Sequence, residues 1–149
     1  MIKFTRTRNI DLIEEVANRQ DIQPGSSNGC WFNYNPNEIY FHVTVHDHFA
    51  GIVRAIETQP KSYECHAMFL DHMRGFSKDI GMAFWDFFFA NSNAECVYSM
   101  ASDKFRYGKL YCALIGLKRV GVMPKFFNGE TNVTIYAATR EELQNGRRR

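Results

Sequence analysis

The sequence contains no apolar run close to the ~20 residues that a membrane-spanning helix requires. Its richest stretch, Met82–Phe89, is short and is interrupted by Asp86. No N-terminal segment has the pattern of a signal peptide. Cysteine is sparse: Cys30, Cys65, Cys96 and Cys112 lie far apart, with no Cys-x-x-Cys and no zinc-type spacing. That pattern predicts four reduced thiols in a cytosolic protein, most of them packed as small apolar groups. An excess of one charge is also missing. Lys and Arg number 18 against 16 Asp and Glu, giving a net charge of +2 and a pI near 8.4, too balanced to argue for nucleic-acid binding. There is no internal repeat and no low-complexity segment.

What is present is a globular composition. The chain has 149 residues, 45% hydrophobic and 23% charged, which suits one domain with a sizeable core. Thirteen Phe, seven Tyr and two Trp make it rich in aromatics, so part of that surface is available for contacts.

Periodicity sets the order of elements. "MIKFTRTR" alternates as a first strand, and "NIDLIEEVANRQ" is a helix capped by Asn9 or Asp11, with Ile10, Ile13, Val16 and Ala17 at helical spacing. "DIQPGSSNGC" is a loop. "EIYFHVTVHDHFAGIVRAIET" is a hairpin turning within Asp47–Gly51, followed by the strand "SYECHAMFL". The helix from about Ser77 to Ala90 is apolar nearly all round, which predicts burial against a sheet. A strand "AECVYSMAS" follows. The next helix, "DKFRYGKLYCALIGL", has Leu110, Tyr111, Leu114 and Ile115 as its expected apolar face. Strands "KRVGVMPKFF" and "TNVTIYAAT" turn at Asn128-Gly129. This order predicts a single mixed α/β domain over residues 1–140, centred near residues 62–100, with a basic tail at 141–149 whose final Arg147-Arg148-Arg149 is a solvated end.

Two stretches carry chemistry. In "FLDHMRGFSKDIGMAFWDFFF" a strand end, a sharp basic turn and a helix follow one another. An arginine and a glycine entering a helix N-terminus suit a phosphate-binding loop. In "HVTVHDH", His42 and His46 fall about 13 Å apart on one strand face at ~3.3 Å per residue, too far to share an ion. His46 and His48 flank the turn and could chelate; the expectation is no metal.

The element order, with Arg74-Gly75 after the fourth strand, resembles the GNAT superfamily of acyl-CoA N-acyltransferases. Glu64-x-His66 in that strand, "FLDHMRG", the aromatic helix and the ending "ALIGLKRVGV" (Gly116-Leu117, Val120-Gly121) carry the likeness, which covers roughly residues 2–137 and is most informative over 62–123. Within the superfamily the chain resembles the divergent GNAT-like proteins of tailed phages, and among these the small head-assembly proteins of short-tailed enterobacterial phages. The resemblance implies a GNAT-like mixed sheet of six to seven strands with helices on both faces.

It also implies a loop, Arg74, Gly75, Phe76, Ser77, Lys78, Asp79, whose amides cradle the pyrophosphate of coenzyme A. The family pattern is Arg/Gln-x-x-Gly-x-Gly/Ala, so its glycines are here Ser77 and Asp79. A carboxylate within ~5 Å of a pyrophosphate opposes it by roughly 1–3 kcal/mol, yet in a first helical turn it is also ordinary stabilisation by the helix dipole. Glu64 stands where some members keep a general base, with pairing to Arg54 as the alternative, and His66 is an accessory candidate. The tyrosine acid expected four residues before Gly116 is replaced by Cys112. Tyr111 is ~100° away around the helix and faces the core on that reading, and Tyr107 is a weaker candidate. The asparagine expected near the helix start is replaced around Asp103–Phe105. The aromatic loop "GCWFNYNPNEIYF" borders the acceptor groove in the family, or packs the sheet end, or binds a partner.

The expectation is a catalytically degenerate domain with no cofactor. The resemblance implies that it acts by contact with other phage virion or assembly proteins, in the cytoplasm of the infected host or in the particle. The alternative is an acetyl-CoA-dependent N-acetyltransferase using Glu64, His66 and Tyr111.

Overall fold

A computed structural model describes residues 1–146. In chain order the elements are β1 (Ile2–Arg6), α1 (Ile10–Ala17), α2 (Gln23–Ser26), β2 (Ile39–Val45), β3 (His48–Gln59), β4 (Ser62–Phe69), a 3₁₀ turn (Asp71–Phe76), α3 (Ser77–Asn91), β5 (Cys96–Ser102), α4 (Arg106–Leu114), β6 (Lys118–Phe127), β7 (Thr131–Thr139) and α5 (Arg140–Asn145). The strands form a seven-stranded mixed sheet in the order β1-β2-β3-β4-β5-β7-β6. The chain divides into two compact units, Met1–Ile56 with Cys65–Ile80, and Glu57–Glu64 with the residues from Gly81 onward.

In the first unit, the Asn9 side chain accepts from the Leu12 amide and starts α1. Ile13, Val16 and Ala17 then lie on one face, buried with Ile22, Phe32, Tyr40, Ile52 and Met68. Beyond α1 the expected loop contains the short helix α2, with Pro24 in its first turn, where a missing N–H costs nothing. β1 and β2 pair antiparallel from Ile2 opposite Val45 to Arg6 opposite Phe41. The β2–β3 hairpin turns earlier than the sequence suggested. His46 and Asp47, at φ 49° and 67°, form a tight two-residue turn. The residues read as turn, Phe49 to Gly51, form a bulge within β3, where Val43 faces Gly51 and Thr44 faces Phe49. Gly51 sits at φ 145°, and a Cβ there would stand 2.2 Å from the Met68 carbonyl oxygen.

In the second unit, β4 and β5 run parallel, with Ser62 opposite Cys96 and Glu64 opposite Tyr98. β7 pairs antiparallel with both β5 and β6. α3 buries Phe84, Trp85, Phe88 and Phe89, each stabilising by roughly 1.5–3 kcal/mol. The Trp85 indole donates to the Ile115 carbonyl at 2.9 Å. Gly81 lets α4 approach: a Cβ there would be 2.5 Å from Ile115 Cγ2 and 2.7 Å from the Tyr111 hydroxyl. The C-terminus of α3 leaves carbonyls without helical partners, and Arg140 fills that need by donating to Phe89, Ser92 and Ala94 oxygens at 2.8–3.0 Å.

The expected face of α4 is corrected. Cys112 and Ile115 point inward, whereas Tyr107, Leu110 and Leu114 are exposed, because close packing on Gly81 selects the Tyr111–Ile115 side. The segment assigned to a tail from residue 141 begins inside α5, which carries a Thr139–Glu142 capping box and buries Leu143. Arg147-Arg148-Arg149 lie outside the described residues.

Gly51→Ala is expected to destabilise the protein by about 2–4 kcal/mol, combining overpacking with a strained backbone. Gly75→Ala, where a Cβ meets nothing within 4 Å, is expected to be neutral or to stabilise by up to ~1 kcal/mol. Urea denaturation midpoints compare the two.

Candidate functional site

The site lies where β4 runs through the 3₁₀ turn into α3. This turn and α3 are continuous, and the turn's i→i+3 bonding engages amides that a phosphate loop directs outward. The Met73 amide donates to Leu70 O at 2.9 Å, and the Ser77 amide donates to Arg74 O. Ser77, at the first glycine position of the family pattern, is buried. Lys78 and Asp79 are exposed, and Asp79 is the acidic residue of the first turn of α3. Phe76 is partly exposed and meets the His46 ring edge-on at 6.4 Å.

Arg74 is held by its own chain. Its Nη2 donates to the Asp21 carboxylate and to the Asp21 carbonyl, both at 3.1 Å, and its Nη1 pairs with Asp71 at 3.3 Å. Asp21 also accepts from Arg19 Nε at 3.2 Å. The cation expected to meet a phosphate is thus bound to two carboxylates. The i,i+3 spacing of Asp71 and Arg74 is the signal by which the sequence could have shown this pair, though it was not read. Asp21 carries no such signal, because it is distant in sequence.

The candidate base and acids fall as follows. Glu64 and His66 are both half-buried on β4. Arg54 binds Glu38 through two hydrogen bonds of 2.7 and 2.9 Å and lies over the Phe32 ring, because Glu38 stands directly before β2, the partner strand of β3. The Tyr111 hydroxyl faces Gly81 of α3, and burial holds its phenol well above the ordinary value. Burial pushes the Cys112 thiol up to about 11, against a hydrogen bond with Ser99. Tyr107 is exposed. Asp103 accepts from the Thr134 hydroxyl at 2.6 Å and pairs with Lys109 at 3.1 Å, which lower its pKa. His42 stacks on Phe49 at 4.7 Å. Among the described residues, no group of three or more His, Cys, Asp or Glu is placed to hold a metal ion.

The aromatic loop is held rigidly. Asn18 accepts from the Phe32 amide and donates to its carbonyl, Glu14 accepts from the Tyr34 amide, and the Tyr40 hydroxyl accepts from Asn35. Trp31 is left 66% exposed at its start.

This architecture matches solved acetyltransferases. A spermidine N-acetyltransferase from Vibrio cholerae, in complex with CoA and spermine, superposes with a TM-score of 0.77 at 18% identity, over 97% of this chain and 98% of that one. A chimera of that enzyme with hSSAT gives 0.79 at 14% identity, over 97% and 98%. Such identities define a fold, and the fold is that of the GNAT acyltransferases. The chain itself belongs to the family described as "Protein of unknown function (DUF2824)", whose model matches residues 2–149. It is 56% identical over 143 residues to protein gp14 of Salmonella phage P22, covering 96% of this chain and 95% of that one. It is also 26% identical over 114 residues to protein p31 of Acyrthosiphon pisum secondary endosymbiont phage 1, covering 74% of each.

The Glu38 pair yields a pH test. Burial acts to raise the Glu38 pKa, but hydrogen bonds from Arg54 and Tyr40 outweigh it and hold the carboxyl below the ordinary 4.5. A depressed folded-state pKa contributes stability that is complete above about 4.5 and lost as pH falls through the folded value. Glu38→Gln, which leaves Arg54 without its counter-charge, is expected to cost about 3 kcal/mol at neutral pH. The gap to wild type should close as pH falls below the ordinary 4.5, through the lowered folded value, in denaturation curves taken across pH.

Proposed function

We propose that this chain is a GNAT-fold protein that no longer holds coenzyme A and acts by protein–protein contact during assembly of a phage head. The observation that carries the reading is the state of the Arg74 loop, where the lead cation is bound to Asp21 and Asp71 and the Ser77 amide to Arg74 O. A pyrophosphate is recognised by outward amides and a free cation, and the residues present fit that group poorly. Ser77 and Asp79, standing where the family pattern has small residues, support the same reading.

The partners in this proposal are other virion or assembly proteins, met in the cytoplasm of the infected cell. The likeness to phage proteins supports it. So does the exposed apolar surface: Trp31 on its pinned loop, the α4 stripe of Tyr107, Leu110 and Leu114, and Val120, Val122 and Phe126 on β6. Aromatic anchors on rigid supports are favoured at protein interfaces.

The second reading is an acetyl-CoA-dependent N-acetyltransferase with Glu64 as base. The fold likeness to an enzyme solved with CoA and spermine favours it.

Calorimetric titration of the wild type with acetyl-CoA and coenzyme A separates the two. Millimolar binding at best, about −4 kcal/mol, is expected, and micromolar binding would overturn the proposal. In the phage, Glu64→Gln combined with Arg74→Ala should leave particle yield at wild-type level, whereas Trp31→Ala should lower it. The reverse ranking favours the enzyme.

A further inference from the structure

Two guanidinium groups converge on one carboxylate in the first unit. Asp21 Oδ1 takes Arg19 Nε at 3.2 Å, and Asp21 Oδ2 takes Arg74 Nη2 at 3.1 Å. Each oxygen of the carboxylate is held by a different arginine, the arrangement in which a phosphate bridges paired arginines. Arg19, Gln20 and Asp21 line an open depression of about 540 Å³, so Arg19 and Asp21 face a space large enough for more than one phosphate group. The side chains of Arg19, Arg74 and Asp21 are 43%, 35% and 32% exposed. They remain solvated, so exchanging one anion for another does not require a charge to be buried.

We propose that Asp21 is the internal anion of a two-arginine phosphate site, filling the place that a phosphate of a nucleotide-type ligand would take. The inference rests on the reading that the loop does not hold coenzyme A, and it assigns the exclusion chiefly to Asp21 rather than to Asp79. With Asp71 on the other edge of Arg74, the four side chains sum to zero charge, two arginines against two aspartates. Neutralising Asp21 leaves a net +1 on these side chains, and neutralising Asp71 as well leaves +2. A diphosphate gains attraction at each step, most at low salt.

The test is calorimetric titration of the full chain with inorganic pyrophosphate and with coenzyme A, at low and moderate salt, with circular dichroism to confirm folding. Asp21→Asn should bind both probes at least tenfold more tightly than wild type, and Asp21→Asn with Asp71→Asn more tightly still. Adding Arg74→Ala or Arg19→Ala to Asp21→Asn should remove the gain. Asp79→Asn alone should gain less than Asp21→Asn. If Asp21→Asn does not fold, Asp21→Ser removes the same charge and carries the same expectation. A folded, charge-neutralised variant that binds no more tightly than a weakly binding wild type overturns this inference and leaves the proposed function standing. A gain that survives Arg74→Ala also overturns it. Micromolar coenzyme A binding by the wild type overturns the proposed function itself, and this inference with it.

Discussion

A guanidinium carries one charge and a planar fork of donors, and Arg74 commits both to its own chain. The bonds to the Asp21 carboxylate and carbonyl join the segment after α1 to the start of α3, and the contact with Asp71 closes the 3₁₀ turn over its own first residue. Everything distinctive about the candidate site follows from that commitment. Its cation is paired locally with two carboxylates. The i→i+3 bonding of Asp71–Phe76 engages the Met73 and Ser77 amides. At the start of α3 the charge of Arg74 is matched by Asp21 and Asp71 of the same chain.

The same economy recurs elsewhere. Backbone groups that regular structure leaves unbonded are costly when buried, and here long polar side chains reach them. Arg140 serves three carbonyls around the end of α3 while its guanidinium lies over the Phe89 ring. Asn18 serves both backbone groups of Phe32, which fixes the start of the aromatic loop. Arg54 and Glu38 satisfy one another beside it. Among the described residues, no buried side-chain nitrogen or oxygen is without a partner. The bonds of Asn18, Glu14 and Tyr40 hold the loop that follows the exposed Trp31.

Much of the architecture was legible in the sequence because it rests on local patterns. The alternation of β2, β4 and β7, the all-round apolar α3 and the Asn9 cap are each written within a dozen residues. The elements that were misread depend on partners far away. The hairpin turn moved to His46-Asp47 because the bulge at Gly51 takes up residues that look like turn, and that bulge exists where the Met68 backbone passes close by. The face of α4 was misassigned because Leu110 and Leu114 are more apolar than Cys112, while Gly81 on another helix decides which side packs. At the site, the absent glycines at Ser77 and Asp79 were plain. The carboxylate that engages Arg74 was not, since no local spacing connects Asp21 to it.

The central claim is that the Met73 and Ser77 amides and the Arg74 cation, engaged within the protein, are not offered to coenzyme A. Amide nitrogen–proton NMR spectra of the wild type, recorded during a coenzyme A titration, address this directly. The account predicts that the Met73 and Ser77 amides exchange slowly with solvent in the free protein, and that their shifts, with the Arg74 side-chain signals, stay fixed up to millimolar coenzyme A. Saturable shifts at these same signals at micromolar coenzyme A would contradict it.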